Sequence, residues 1–144
     1  MLIASECLKN VNEKVWEKVA RGRVVLTCCP ENEPQMVYGK IASIIRSSKP
    51  RSITVVTIDG SPHCFQLHAA VNEAVYILKE RVKHEHYVLV DAKDLVKISP
   101  KAVRVARYLS LVEGLIKKNP WILKELEKHS LEHRVAKEIG NTED

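Results

Sequence analysis

Three short β-branched runs alternate with amphipathic helical stretches, and this alternation limits the folds that the chain can adopt. The runs are Arg23–Cys28, Ser52–Ile58 and Tyr87–Val90. They are apolar without clean alternation, which is typical of strands that are covered on both faces in a parallel sheet. Strands separated by helices indicate βαβ units with right-handed crossovers. The sequence therefore predicts an α/β fold, a small three-layer sandwich around a parallel three-stranded sheet.

The helices are predicted from the spacing of apolar residues and from serine, proline and glycine at their ends. We expect an N-terminal helix over residues 5–20 and two helices between the strands, over residues 34–49 and 63–82. A short extra strand is expected over residues 95–98, followed by two C-terminal helices over residues 100–118 and 120–139. Pro34 suits the first helical position of the second helix. Together these elements predict a single α/β domain over residues 1–144, with a βαβαβ core at about 23–98 and a C-terminal helical pair at about 100–139. Among the three predicted strands we expect the order 2-1-3, because that order creates a crevice at the end of the first strand.

The composition and the N-terminal residues indicate where in the cell the protein is located. The chain has 144 residues, and no apolar run approaches the ~20 residues of a membrane span. Its N-terminus lacks the charged start and long apolar stretch of an export signal. We therefore expect a cytoplasmic protein without a membrane partner. Its four cysteines would then lie in a reducing compartment, where structural disulfides are uncommon.

Two cysteine turns follow predicted strands. Cys28 and Cys29 end the first strand, while His63 and Cys64 follow the second, and His68 lies one helical turn further on. Because parallel strands end at one edge of a sheet, we expect these five side chains to converge there. Thiolates and imidazoles suit zinc or an iron–sulfur centre with mixed ligands, so these are the candidate cofactors. The alternatives are a redox-active thiol pair, or buried structural cysteines, which are common in protein cores.

The same residues allow a nucleophilic enzyme, although the sequence favours a protein without catalytic activity. Cys64 or Cys29 would be the nucleophile, with His63 or His68 as base and Asp59 as its orienter. The phosphate-binding patterns GxGxxG and GxxxxGK[ST] are absent, so no motif supports nucleotide binding. The pattern His84-Glu85-His86 is interpreted as polar turn residues before the third strand, in preference to a pair of metal ligands.

The formal net charge of +5 is concentrated near the fourth predicted helix. Its basic stripe consists of Lys97, Lys101, Arg104 and Arg107. Such a stripe predicts either a solvated helix face, which we favour, or a non-catalytic binding surface for nucleic acid or an acidic protein. The apolar residues of the last two helices suggest a third hypothesis, an assembly subunit that forms a homodimer through these helices.

The turns and the middle strand carry a family resemblance over about residues 24–90. Cys29-Pro30, the strand Ser52–Val56 and the turn Pro62-His63-Cys64 have counterparts at consistent spacing. The segment resembles the α/β domain appended to certain ferredoxin-type 4Fe–4S proteins of anaerobic bacteria and archaea. Histidine stands here in place of the first cysteine of that family's Pro-Cys-Cys turn.

The resemblance implies an accessory protein of redox or iron–sulfur metabolism, with a redox protein as its partner. The cluster-binding repeats CxxCxxCxxxCP of those proteins are absent from this chain. Since each cubane cluster takes four thiolates at a known spacing, a free-standing ferredoxin is excluded. The expected working edge therefore consists of the two cysteine turns.

Overall fold

A computed structural model describes residues 1–32, 37–79 and 81–140. The strands in these residues are β1 Leu2–Ser5, β2 Val25–Cys28, β3 Ser52–Ile58, β4 Lys83–Val90 and β5 Asp94–Ile98. The helices are α1 Leu8–Val11, α2 Glu13–Ala20, α3 Val37–Ser48, α4 Pro62–Leu78, α5 Pro100–Ala106, α6 Leu109–Lys118, α7 Trp121–His129 and α8 Leu131–Glu138. The predicted helix start at Pro34 lies outside the described residues. No helix in the described part of the chain is long and apolar enough to cross a bilayer.

The sheet has the order β2-β1-β3-β4-β5, with β5 antiparallel to β4 and all other pairs parallel. The α/β class is confirmed, and the extra strand is β5. The count of three parallel strands is wrong, because β1 lies in a segment that was predicted to be helical or irregular. The order 2-1-3 is also wrong, since β1 separates β2 from β3 and β4 lies beyond β3.

Helices cover both faces of the sheet. Alternate strand residues such as Ile3 and Val55 pack with α3 and α4 in one apolar cluster. The intervening residues, such as Leu2 and Val56, pack with α1 and α2 in a second cluster. This division follows from the period of two along a strand. It places the loops that leave β2 and β3 on one face and the loop that leaves β1 on the other.

The N-terminal segment is not the single helix predicted over residues 5–20. Asn12 has an extended backbone (φ −153°), and its Oδ1 accepts a hydrogen bond from the N–H of Val15 at 3.0 Å. An extended residue that caps the next helix must interrupt the one before it. Two short helices, α1 and α2, therefore replace the predicted one, and the chain before them forms β1.

The turn between β3 and α4 has strong local determinants. Gly60 adopts a positive φ of 73°, which glycine reaches without steric cost. Ser61 Oγ then accepts from the N–H of Cys64 at 3.3 Å, and Pro62 occupies the first helical turn. α4 ends at Leu78, four residues before the predicted end at Val82, and β4 begins at Lys83 instead of the predicted Tyr87.

The C-terminal part of the chain consists of shorter helices than expected. The predicted helix 100–118 is divided between α5 and α6, and the predicted helix 120–139 is divided at Ser130 between α7 and α8. The chain forms two compact units, Met1–Arg104 and Val105–Asp144, which we call the sheet unit and the helical unit. The single domain over residues 1–144 stays a prediction.

Candidate functional site

The strand order places a topological switch point at the carboxyl edge of the sheet, between β1 and β3. The connection that leaves β1 turns to the face covered by α1 and α2, whereas the connection that leaves β3 turns to the opposite face. In doubly wound sheets, ligands bind where neighbouring connections diverge in this way. The two loops at this point are Glu6-Cys7 and Asp59–Ser61.

Both loops are anchored by backbone hydrogen bonds to adjacent strands. The N–H of Glu6 donates to the carbonyl of Cys28 at 3.1 Å, and the N–H of Asp59 donates to the carbonyl of Leu89 at 3.1 Å. The side chains of Glu6 and Asp59 are exposed. Ser5 ends β1 beside them, and its buried Oγ has no hydrogen-bond partner among the described residues. The switch point therefore has two exposed carboxylates and one unused hydroxyl group beside it.

The cysteine turns lie at this edge, as expected from the sequence. Cys28 ends β2 and pairs in register with Ser5, while Cys64 occupies the first turn of α4, directly after β3. Cys7 follows β1 in the same way, which the sequence did not indicate. None of the four cysteines, all of which lie in the described residues, forms a disulfide bond; Cys7 is exposed, Cys28 and Cys29 are partly exposed, and Cys64 is buried.

The five predicted ligands, Cys28, Cys29, His63, Cys64 and His68, are not gathered into one metal-binding group. Within residues 1–32, 37–79 and 81–140, no three His, Cys, Asp or Glu side chains could hold a metal ion together. The physical reason is that β1 separates the ends of β2 and β3 by two strand spacings, roughly 10 Å. The loops still approach each other further out, where His63 Nδ1 lies 3.9 Å from the Glu31 carboxylate.

His68 is directed away from the cysteine turns. Its Nε2 lies 2.8 Å from Thr57 Oγ1, and its Nδ1 lies 2.9 Å from Nδ1 of His86. Both ring nitrogens are therefore engaged inside the sheet unit, and neither is available to the thiols. Burial lowers the pKa of His68 to about 4, so the imidazole is neutral at pH 7.

His84 and His86 belong to β4, so their interpretation as polar turn residues is wrong. They lie two residues apart on one face, with ring centroids separated by 5.4 Å. His86 is fully buried. Burial, together with the charges of His68, His84 and Arg104, lowers the pKa of His86 to about 3. Like His68, it is neutral at pH 7.

Three buried polar atoms on β4 and α4 have no hydrogen-bond partner in the described part of the chain. They are Nε2 of His84, Nε2 of His86 and Oδ1 of Asn72. Buried polar atoms are normally paired, so each of these unpaired atoms calls for an explanation. We call Asn72, His84 and His86 the histidine cluster.

The basic stripe does not form on one helix face. Lys97 lies on β5, where its Nζ donates to the Glu85 carboxylate at 2.8 Å. This contact raises the pKa of Lys97 and lowers that of Glu85. Lys101 and Arg104 are on α5, while Arg107 follows the end of that helix. The predicted stripe is therefore interrupted, and part of its charge is paired.

A cavity of about 220 Å³ lies between β2 and α3. Apolar side chains such as Leu26 and Ile41 form most of its wall, and Thr27, Cys28 and Lys40 also line it. The cavity thus extends to the last residue of β2, at the first cysteine turn.

The fold and the strand order define the class of the protein, a doubly wound α/β domain. The sequence model of the Rossmann-like domain matches residues 1–144, and the chain belongs to this family. No curated protein and no solved structure matches the chain.

Proposed function

We propose that the protein is an accessory protein of redox or iron–sulfur metabolism that works through thiols at the carboxyl edge of its sheet. One observation carries the proposal. Cys28 is the last residue of β2, and the other three cysteines lie in the segments that follow β1, β2 and β3, three adjacent parallel strands. The resemblance of residues 24–90 to the domain appended to ferredoxin-type proteins supports the same setting.

The exposure of the thiols suggests how the edge would act. Exposed Cys7 follows β1, and partly exposed Cys29 follows β2, its neighbour in the sheet. Thiol–disulfide exchange requires access for an attacking thiolate, so these two residues are the first candidates for contact with a redox partner. Buried Cys64, at the N-terminus of α4, would react only after local opening.

The proposal is tested by redox titration of the full chain with reduced and oxidised glutathione. One protein disulfide forms from two thiols while one glutathione disulfide is reduced to two glutathione molecules. We expect two of the four thiols to be protected from alkylation together, at one midpoint, and mass spectrometry to assign them. Cys29→Ser should abolish this transition, whereas Cys64→Ser should leave it in place.

Metal analysis of anaerobically purified protein accompanies the titration, since a bound cluster would protect the same thiols. Thiols that neither form a disulfide at any glutathione ratio nor retain a metal would contradict the proposal. Thiols that react only in denaturant would contradict it as well.

Exposed apolar side chains favour a second candidate, assembly through the helical unit. None of the residues of α6, α7 and α8 is buried, and the exposed ones include Leu115, Trp121 and Leu131. Exposed apolar side chains in such number mark association surfaces. Self-association is measured by sedimentation equilibrium, where Trp121→Glu should shift a dimer toward the monomer. A monomer at high micromolar concentration would contradict this candidate.

A further inference from the structure

We infer that the histidine cluster is a binding site for a divalent late transition metal ion such as Zn²⁺. The ligands would be Nε2 of His84, Nε2 of His86 and Oδ1 of Asn72, with water completing the coordination. Imidazole nitrogens suit these ions, and an amide oxygen can complete the set. The site involves none of the thiols of the proposed function, and it would be a separate property of the protein.

The hydrogen bond of His84 fixes which of its nitrogens is available. Its Nδ1 lies 3.2 Å from the carbonyl oxygen of Val82. A carbonyl oxygen only accepts, so Nδ1 carries the proton and donates. In the neutral ring the lone pair is then on Nε2, the atom that is buried without a partner. His84 thus presents a lone pair to the interior with no donor to satisfy it.

The contacts of His86 are compatible with the same arrangement, whereas the opposite order of donors would leave an N–H on Nε2 of His86 without an acceptor. When Nδ1 of His86 donates to Nδ1 of His68, Nε2 of His68 carries a proton that Thr57 Oγ1 accepts. Every N–H in this chain of contacts has an acceptor, and the free lone pair again falls on Nε2 of His86. Metal-binding histidines are commonly oriented by such a hydrogen bond from the second ring nitrogen.

The spacing of the rings agrees with a shared ion. Two imidazoles that bind one ion through nitrogens at about 2.0–2.1 Å place their ring centres roughly 5 Å apart. The observed separation of His84 and His86 is 5.4 Å. A histidine pair two residues apart on a strand presents both rings on the same face, which makes this arrangement possible.

Asn72 contributes from the helix that packs on this face. Its Nδ2 donates to the carbonyl of Pro100 at 3.4 Å, which leaves Oδ1 as its unpaired atom. Asn72 lies one turn of α4 after His68, the residue that contacts His86. The amide is therefore oriented by its own hydrogen bond, as both imidazoles are.

Arg104 opposes cation binding, because its positive charge acts on His86 from α5. A variant that removes this charge is therefore a control with the opposite expected effect on zinc affinity. Arg104→Gln should strengthen binding several-fold, since it removes a like charge without changing a ligand.

The experiment titrates Zn²⁺ into the metal-free full chain at pH 7.5, with a phosphine reductant present, and follows binding by calorimetry. We expect the unmodified protein to bind one equivalent of Zn²⁺. This binding should be lost in His84→Gln and retained in the matched control His63→Gln. Thr57→Val, which removes only the last acceptor in the chain of contacts, should weaken binding by about 10–100-fold. Circular dichroism verifies that each variant is folded.

A second measurement requires no variant. In protein labelled with ¹⁵N-histidine, Zn²⁺ should shift the Nε2 resonances of two of the six histidines, those of His84 and His86. Absence of these shifts would overturn the inference. Zinc binding that persists in His84→Gln and disappears in Cys29→Ser/Cys64→Ser would also overturn it, and would place the metal at the thiol edge of the proposed function.

Discussion

The sheet unit and the helical unit differ in how far their apolar side chains are buried. In the sheet unit, Leu2, Ile53, Leu67 and Leu89 are completely buried between the sheet and its helices. In the helical unit, α6 to α8 contain no buried residue. Since burial of apolar surface is the main driving force of folding, contacts within the sheet unit should contribute most of the free energy of unfolding. The helical unit instead offers its apolar side chains for association.

The largest expected effect is that of a core truncation. Leu67→Ala in α4 should lower the free energy of unfolding by about 2–5 kcal/mol, because it leaves a cavity in a closely packed layer. Leu115→Ala in α6 is the matched control, and it should change stability by less than about 0.5 kcal/mol in dilute solution. Urea denaturation measures both. An equal loss in the two variants would mean that the helical unit has a packed core of its own.

Acid should destabilise the sheet unit through its buried histidines. The pKa values of His68 and His86 in the folded protein, about 4 and about 3, lie below the value of about 6.5 in the unfolded chain. The unfolded state therefore takes up protons first as the pH falls. The contribution of these two neutral histidines to the free energy of unfolding is fully present above about pH 6.5 and is lost as the pH falls from there to about 3.

Between pH 6.5 and 5.0 the loss should amount to roughly 1–3 kcal/mol, measured by urea denaturation with a chelator present. This interval lies above the titration range of ordinary carboxylates. His68→Gln should reduce the slope, because one of the two titrating groups is removed. A slope that is unchanged in this variant would contradict the assignment.

The smallest effect concerns two equivalent helix caps, one in each unit. Ser61 Oγ caps α4, and Ser130 Oγ caps α8 by accepting from the N–H of His133 at 3.1 Å. Ser61→Ala should cost about 1 kcal/mol in global unfolding. Ser130→Ala should leave the urea midpoint unchanged, because its helix contributes little to the cooperative core. A midpoint shift of equal size would indicate that the two units unfold together.

Much of the fold was predictable from local patterns. β3 was predicted with its observed bounds, since the six residues after Ser52 are all apolar or β-branched and end at the turn signal Asp59-Gly60. β1 has only four residues, which is too short for any periodicity to appear. The breaks at Asn12 and Ser130 were missed because apolar spacing continues across them, and only the backbone at the cap reveals the interruption.

The candidate site was predictable in position but not in detail. Turn residues after parallel strands must meet at one edge, so Cys28, Cys29 and Cys64 were placed correctly from topology alone. Their separation depends on β1, which the sequence did not reveal. The direction of His68 depends on Thr57 and His86, residues 11 and 18 positions away. Such contacts leave no trace in local spacing.

The central position of β1 has a consequence for biosynthesis. Its pairing with β3 joins residues about fifty positions apart, such as Leu2 and Thr54. Until β3 leaves the ribosome, the nascent chain therefore carries an apolar strand with at least one open edge. Such edges template pairing with other chains. The emerging polypeptide should accordingly depend on chaperone protection until β3 has been synthesised.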